Sequence, residues 1–373
     1  MTIQKEQHAD YQLQLDGIRF IAIFMVMVAH WLQWQMTNII ATSIQFVHGV
    51  TLFFVLSGFL TTRILLDNRK KYDHAGRGKA MLIRQFYIRR FLRIFPIYYL
   101  AIFFLVIINY PGARTYFPWL ISYTSNVYQS IHNLYIGNFN HFWSLAVEEQ
   151  FYLFWPWLML FVNRKYLLRV ILATILISVA SKIYIHFYFP NNWMAGSYLI
   201  ISCMYALGLG ALLAWMHSEG KPLVKKLLNA KIVWGSVAAY TLMLFLFIKI
   251  AWYKALIDEL LFVMMSAIII NYAVAGRFRL FAGGFLQHPW ILYFGKVSYG
   301  MYVYHLFIPD LYYYLAPRIG LLITNKYTAF VAFFFLTFVL SHLSWKLIET
   351  PVNNLKKYFP YFKKTPIVLQ NNG

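Results

Sequence analysis

The feature that most constrains this chain is a succession of apolar windows, each long enough to match the hydrocarbon of a bilayer. They fall at roughly 17–36, 46–66, 93–110, 142–162, 167–189, 197–216, 231–252, 255–275, 292–316 and 325–348. A soluble core helix needs only an apolar stripe, whereas these windows are apolar around most of their circumference. With 61% hydrophobic and 12% charged residues, a soluble domain has nowhere to hide this surface, but lipid accepts it as an outer wall. The expected fold class is an all-α polytopic membrane protein, a bundle of about ten transmembrane helices with both termini cytoplasmic. Residues 1–373 read as one membrane domain with short cytoplasmic tails over about 1–15 and 349–373. Neither a cleavable signal peptide nor a soluble C-terminal domain is expected.

A shorter stretch, Tyr116–Tyr128, carries Pro118 and several polar residues. It is too short to cross and reads as an interfacial or re-entrant piece. The other sizeable interruption, Asp67–Arg89, reads as a basic cytoplasmic loop.

A net charge of +21 invites a nucleic-acid reading, so its distribution decides. With ten spans and the N-terminus inside, cytoplasmic segments and helix ends hold 24 of the 33 Lys and Arg, Lys5, Lys363 and Lys364 among them. The outer loops hold four (Arg114, Lys254, Arg318, Lys326), and Arg19, Arg63, Lys182, Lys249 and Lys296 fall within spans. This is the positive-inside asymmetry, and counting Tyr116–Tyr128 as a crossing would spoil it. The charge therefore reports topology, lipid headgroups and cytoplasmic anions, not nucleic acid. The lone cysteine, Cys203, excludes a disulfide framework and a Cys-based metal site.

Ionisable residues at membrane depth are costly, so each is a functional candidate with a structural alternative beside it. The stretch LDGIRFIAIFMVMVAH contains Asp16, Arg19 and His30. Arg19 and His30 share a helix face about 16 Å apart along the axis, and Asp16 joins that face. A histidine there can serve as general base on an alcohol, or simply tie helices together. In GVTLFFVLSGFLTTR, Gly49 and Gly58 permit close approach of a backbone or a ligand, Ser57 offers a hydroxyl, and Arg63 lies near the cytoplasmic end. Glycine packing, a locally bonded hydroxyl and a snorkelling arginine are the structural readings.

In FYIRRFLRIFPIYY, Arg90 and Arg93 face the same way with Arg89 alongside. Such a fork suits phosphate, but taken alone the favoured reading is contact with anionic lipid. Glu148 and Glu149 lie in HFWSLAVEEQFYLFWPW at the depth of His30. They point about 100° apart, so only one is expected to face a given cavity; it can orient His30 while the other bonds a neighbouring helix. Ser298, Tyr302 and His305 share a stripe in YFGKVSYGMYVYHLF, and Glu349 precedes the helix-stopping Pro351. His48, His132 and His141 fit no metal-ligand spacing, so no metal is expected.

Taken in order, these blocks resemble the membrane-bound acyltransferase family 3, which includes bacterial O-antigen and peptidoglycan O-acetyltransferases. The likeness covers nearly the whole chain: LDGIRF…H, SGFLTTR, RRFLR, WSLAVEEQFY, GKVSYGMYVYH and IETP all match family motifs. The resemblance implies transfer of an acyl group, most often acetyl, from cytoplasmic acyl-CoA to a hydroxyl of a cell-envelope glycan or lipid-linked sugar. The setting is the bacterial inner membrane. Acyl-CoA is a co-substrate, and no permanently bound cofactor is implied. His30, Glu148, Glu149, Arg19 and Asp16 fall in catalytic positions. Arg63, Arg90, Arg93, Ser57 and Gly58 fall with the acyl-CoA, and Tyr302, His305, Ser298 and Glu349 with substrate or support. The pantetheine arm has a length comparable to the ~16 Å Arg19–His30 separation. The alternative is a secondary transporter or glycan flippase using the same polar residues; a non-catalytic scaffold would not need both His30 and the paired glutamates.

Overall fold

A computed structural model describes residues 12–32, 48–247, 250, 253–320 and 323–362. The tails 1–11 and 363–373, with Lys5, Lys363 and Lys364, lie outside the described residues, as do Lys249 and the window ends at 33–36 and 46–47.

The described residues are helical, with no strand among them. The long helices are α1 (Leu13–Trp31), α2 (Gly49–His74), α3 (Lys79–Ile107), α4 (Phe142–Phe161), α5 (Leu167–Tyr188), α6 (Ile200–Ser218), α7 (Ala230–Phe247), α8 (Asp258–Val274), α9 (Pro289–Tyr304) and α10 (Lys326–Ser344). Among the described residues, seven of these (α1, α2, α3, α5, α6, α7 and α10) are long and apolar enough to cross a membrane. Of the other three windows, α8 has 17 residues and α9 has 16, short of the roughly 20 that a perpendicular crossing takes. Helix α4 has the length, with 20 residues, but Glu148, Glu149 and Gln150 dilute its apolar character.

Two expectations change, and a third, that Tyr116–Tyr128 is too short to cross, holds. The window 292–316 is broken: α9 ends at Tyr304, and a separate helix runs Ile308–Leu315. Pro309 explains the break, because its ring lacks an N–H and would collide with the carbonyl of His305. The supposed loop Asp67–Arg89 is mostly helix, since α2 continues to His74 and α3 begins at Lys79. Its Leu, Lys, Arg, Ala and Gln residues are good helix formers. The reversal is confined to residues 75–78, where Gly76 takes the positive φ of +61° that closes a helix end. Tyr116–Tyr128 forms parts of two short helices, Ala113–Ile121 and Ser125–His132. They are pinned to α3 by Tyr98 and Tyr99 hydroxyls that donate to the Leu120 and Ile121 carbonyls at 2.8 and 2.9 Å, and neither could span at ~1.5 Å per residue.

Helices α2 and α6 touch backbone to backbone through two glycines. A Cβ on Gly58 would lie 1.9 Å from the Leu207 carbonyl oxygen, and one on Gly210 would lie 2.0 Å from that of Val55. Small residues of this kind drive helix association in lipid, where apolar burial gains nothing over the acyl chains. Arg69 then ties α2 to the end of α4, donating to the Met159 and Val162 carbonyls at 2.7 and 2.8 Å. Gly210→Val is expected to lower stability by about 1–3 kcal/mol or more through overpacking. Gly235→Ala, with open space around it, is expected to gain a few tenths up to about 1 kcal/mol. Thermal unfolding of the two variants in one detergent checks the contrast.

Candidate active site

Helices α1 and α9 run parallel and close together, because Gly295 has no side chain: a Cβ there would sit 2.0 Å from the Asp16 carbonyl oxygen. That contact sets the height of both helices. Farther along, His30 Nδ1 lies 2.9 Å from His305 Nε2, with the rings stacked at 5.0 Å. His305 sits at the break after α9, fully buried, its Nδ1 2.7 Å from the Tyr302 carbonyl oxygen. His141, at the start of α4, brings a third imidazole, 4.8 Å from the His305 ring. Its Nε2 faces the Val303 carbonyl at 3.3 Å.

Beside these rings, α1, α2, α3, α4, α9 and the segment after α10 enclose a cavity of about 290 Å3. At one end its lining holds Arg19, Arg89, Arg90, Arg93 and Lys356, with Tyr361 from the last described residues. At the other end stand Ser144 and Tyr302, whose hydroxyls bond each other. Tyr302 links cavity to imidazoles: its hydroxyl donates to the His141 carbonyl at 2.9 Å, and its ring lies 5.4 Å from that of His305. Apolar side chains such as Phe53, Leu60 and Ile94 line the wall. Five cations face one acid, Glu148, so the basic end has an excess of positive charge that suits a polyanion.

The cations differ in how they are held. Arg19 is paired with Asp16 one turn away on α1. Arg90 donates to Thr61 Oγ1 at 2.8 Å and lies over the Tyr152 ring at 4.3 Å. Arg89 bonds the carbonyls of Lys356 and Phe359 at 2.9 and 3.1 Å, fastening the C-terminal segment across the cavity mouth. Arg93 has no hydrogen bond or ion pair among the described residues and points an exposed guanidinium into the cavity. Glu148 Oε1 accepts from Ser57 Oγ at 2.6 Å.

The structure thus brings together Arg19, Ser57, Arg90, Arg93, Glu148, Ser298 and Tyr302 around one cavity, with His30 and His305 beside it. The bonded partner of His30 is an imidazole, not a glutamate. Others stand apart. Arg63 pairs with Asp67 at 3.7 Å on another face of α2, because six residues after Ser57 turn the helix by about 240°. Gly58 is used up in the contact with α6. Glu149 points away from the cavity lining, as the 100° step from Glu148 requires, and its Oε1 is buried without a partner among the described residues. Glu349 is likewise buried, next to Gly300.

Sequence reasoning missed Ser144 and Tyr152, although both lie four residues from Glu148 and so share its face. It set His141 aside as a loop residue. Nothing in the sequence pointed to Lys356 or Tyr361.

These features describe an integral multi-pass membrane protein with a basic cavity beside imidazoles. The profile of the acyltransferase 3 family, described as an acyltransferase domain, matches residues 12–346, and the chain belongs to that family. It is similar to the peptidoglycan O-acetyltransferase OatA of Listeria monocytogenes, with 28% identity over 95% of this chain and 58% of the relative. It is also similar to the O-acetyltransferase OatA of Staphylococcus aureus, with 26% identity over 98% of this chain and 60% of the relative. The chain thus spans about three-fifths of the length of these curated relatives. No solved structure matches it.

Adenosine 3′,5′-bisphosphate is expected to raise the melting temperature of the wild type and of Arg63→Ala to the same extent. In Arg90→Ala/Arg93→Ala most of that shift should be lost. An undiminished shift in the double variant would show that the anion binds elsewhere.

Proposed function

We propose that the protein is a membrane O-acyltransferase that takes an acyl group, in the first instance acetyl, from acyl-CoA. It delivers that group to a hydroxyl of a cell-envelope glycan or lipid-linked sugar. The carrying observation is the cavity itself: cations at one end, an apolar wall and hydroxyls at the other, with the imidazole pair beside it. In this reading the bundle crosses a bacterial inner membrane ten times with both termini cytoplasmic, which puts Arg89, Arg90, Arg93 and Lys356 on the side where CoA resides.

The 3′-phosphate and pyrophosphate of CoA meet Arg90, Arg93 and Lys356, where guanidinium forks bind phosphate bidentately. The pantetheine arm lies along the apolar wall and carries the thioester toward Ser144 and Tyr302. His30 takes the acceptor's hydroxyl proton, the oxygen attacks the thioester carbonyl, and the C–S bond breaks. CoA leaves as the thiol with the proton that His30 returns. Arg19 and the Ser57–Glu148 pair hold the electrostatics along the path. The peptidoglycan named for the Listeria relative makes a cell-wall glycan the first acceptor to try. Membership of an acyltransferase family favours this reading over a transporter or flippase.

With isotope-labelled acetyl-CoA and purified protein in vesicles containing cell-wall glycan, label is expected in the glycan with stoichiometric CoA release. His30→Ala should reduce turnover by about 10²–10⁴-fold while keeping the nucleotide-induced thermal shift. Near-normal turnover in that variant sinks the assignment of His30 as base, and glycan movement without CoA release would favour the transporter.

A further inference from the structure

The hydrogen bonds around His305 have a fixed direction. A carbonyl oxygen can only accept, so the 2.7 Å contact between His305 Nδ1 and the Tyr302 carbonyl requires the proton on Nδ1. A neutral imidazole then carries a lone pair on Nε2. That atom faces His30 Nδ1 at 2.9 Å, so His30 must donate from Nδ1 and keep its own lone pair on Nε2. Among the described residues nothing bonds that Nε2, and His30 is partly exposed while His305 is fully buried.

We propose that His305 is a positioning residue that holds His30 in the single tautomer able to accept the acceptor's proton at Nε2. The break after α9 is what makes this possible. Pro309 ends the helix, and His305 at its end bonds the Tyr302 carbonyl through its side chain. The role is the one an orienting group fills next to a catalytic histidine, here given to a neutral ring in place of a carboxylate. When His30 takes the hydroxyl proton it becomes an imidazolium. Its Nδ1–H still points at the His305 lone pair, so the charge is held without any proton reaching His305. The proton then leaves from Nε2 to the CoA thiolate as the C–S bond breaks, and both rings return to their starting forms.

The proposal rests on the reading of His30 as base, and its test keeps the two apart. Gln at position 305 can accept from His30 through Oε1 and donate to the Tyr302 carbonyl through Nε2; Phe can do neither, and Asn is too short to do both. His305→Gln is expected to retain kcat within about ten-fold. His305→Phe and His305→Asn should lose about 100-fold or more, as wrong-tautomer variants do, with KM for acetyl-CoA unchanged. Equal activity of His305→Phe and wild type overturns the proposal, and so does equal loss in His305→Gln and His305→Phe.

A second readout needs no turnover: the rate at which diethylpyrocarbonate modifies His30, followed by peptide mass spectrometry. It should fall several-fold in His305→Phe and stay near the wild-type rate in His305→Gln; an unchanged rate in His305→Phe overturns the positioning role. If wild-type protein releases no CoA while the modification rates behave as expected, the acyltransferase reading fails and the positioning of His30 by His305 stands.

Discussion

Hydrocarbon offers no hydrogen bonds, so a polar side chain folded into this bundle gains most from a partner in the chain itself. Those pairings decide how the helices sit. Ser57 with Glu148 and Thr62 with the Trp155 indole, at 2.7 Å, bind α2 to α4. Thr61 with Arg90 binds α2 to α3. His48 with Asp258 and Lys182 with Glu259 gather α2, α5 and α8 at another level. Among the cations that line the cavity Arg93 stands out, because its guanidinium meets no partner among the described residues. A cation left that way is what a site for an anionic ligand requires, and the family assignment says which class of chemistry to look for there.

Much of this was legible in the sequence. Window length and hydropathy located the long helices, and residue spacing put Arg90 with Arg93 and Asp16 with Arg19. Where helix phase was applied it served well: it separated Glu148 from Glu149. Applied to α2, it would also have separated Arg63 and Gly58 from Ser57, and along α4 it would have found Ser144 and Tyr152. What no local pattern contains is a contact between distant parts of the chain. The His30–His305 pair spans 275 positions and the Arg89–Lys356 bond 267. Such meetings come from backbone approach at Gly295 and from the helix break before Pro309, which are tertiary facts.

The division between matched and unmatched sequence adds to this. The family profile ends at residue 346, yet Lys356 and Tyr361 line the cavity, and the Tyr361 carbonyl accepts from the Tyr72 hydroxyl at 2.8 Å. The segment after α10 is therefore part of the wall.

That wall has a consequence for biosynthesis. Ribosomes deliver a polypeptide from its N-terminus, so α1, α2, α3, α4 and α9 are all made before residues 355–362 exist. Until that stretch docks on Arg89 and Tyr72, the basic end lacks Lys356 and Tyr361 and stands open on one side. A nascent bundle can thus have these five helices threaded and packed while its basic cavity still lacks part of its wall.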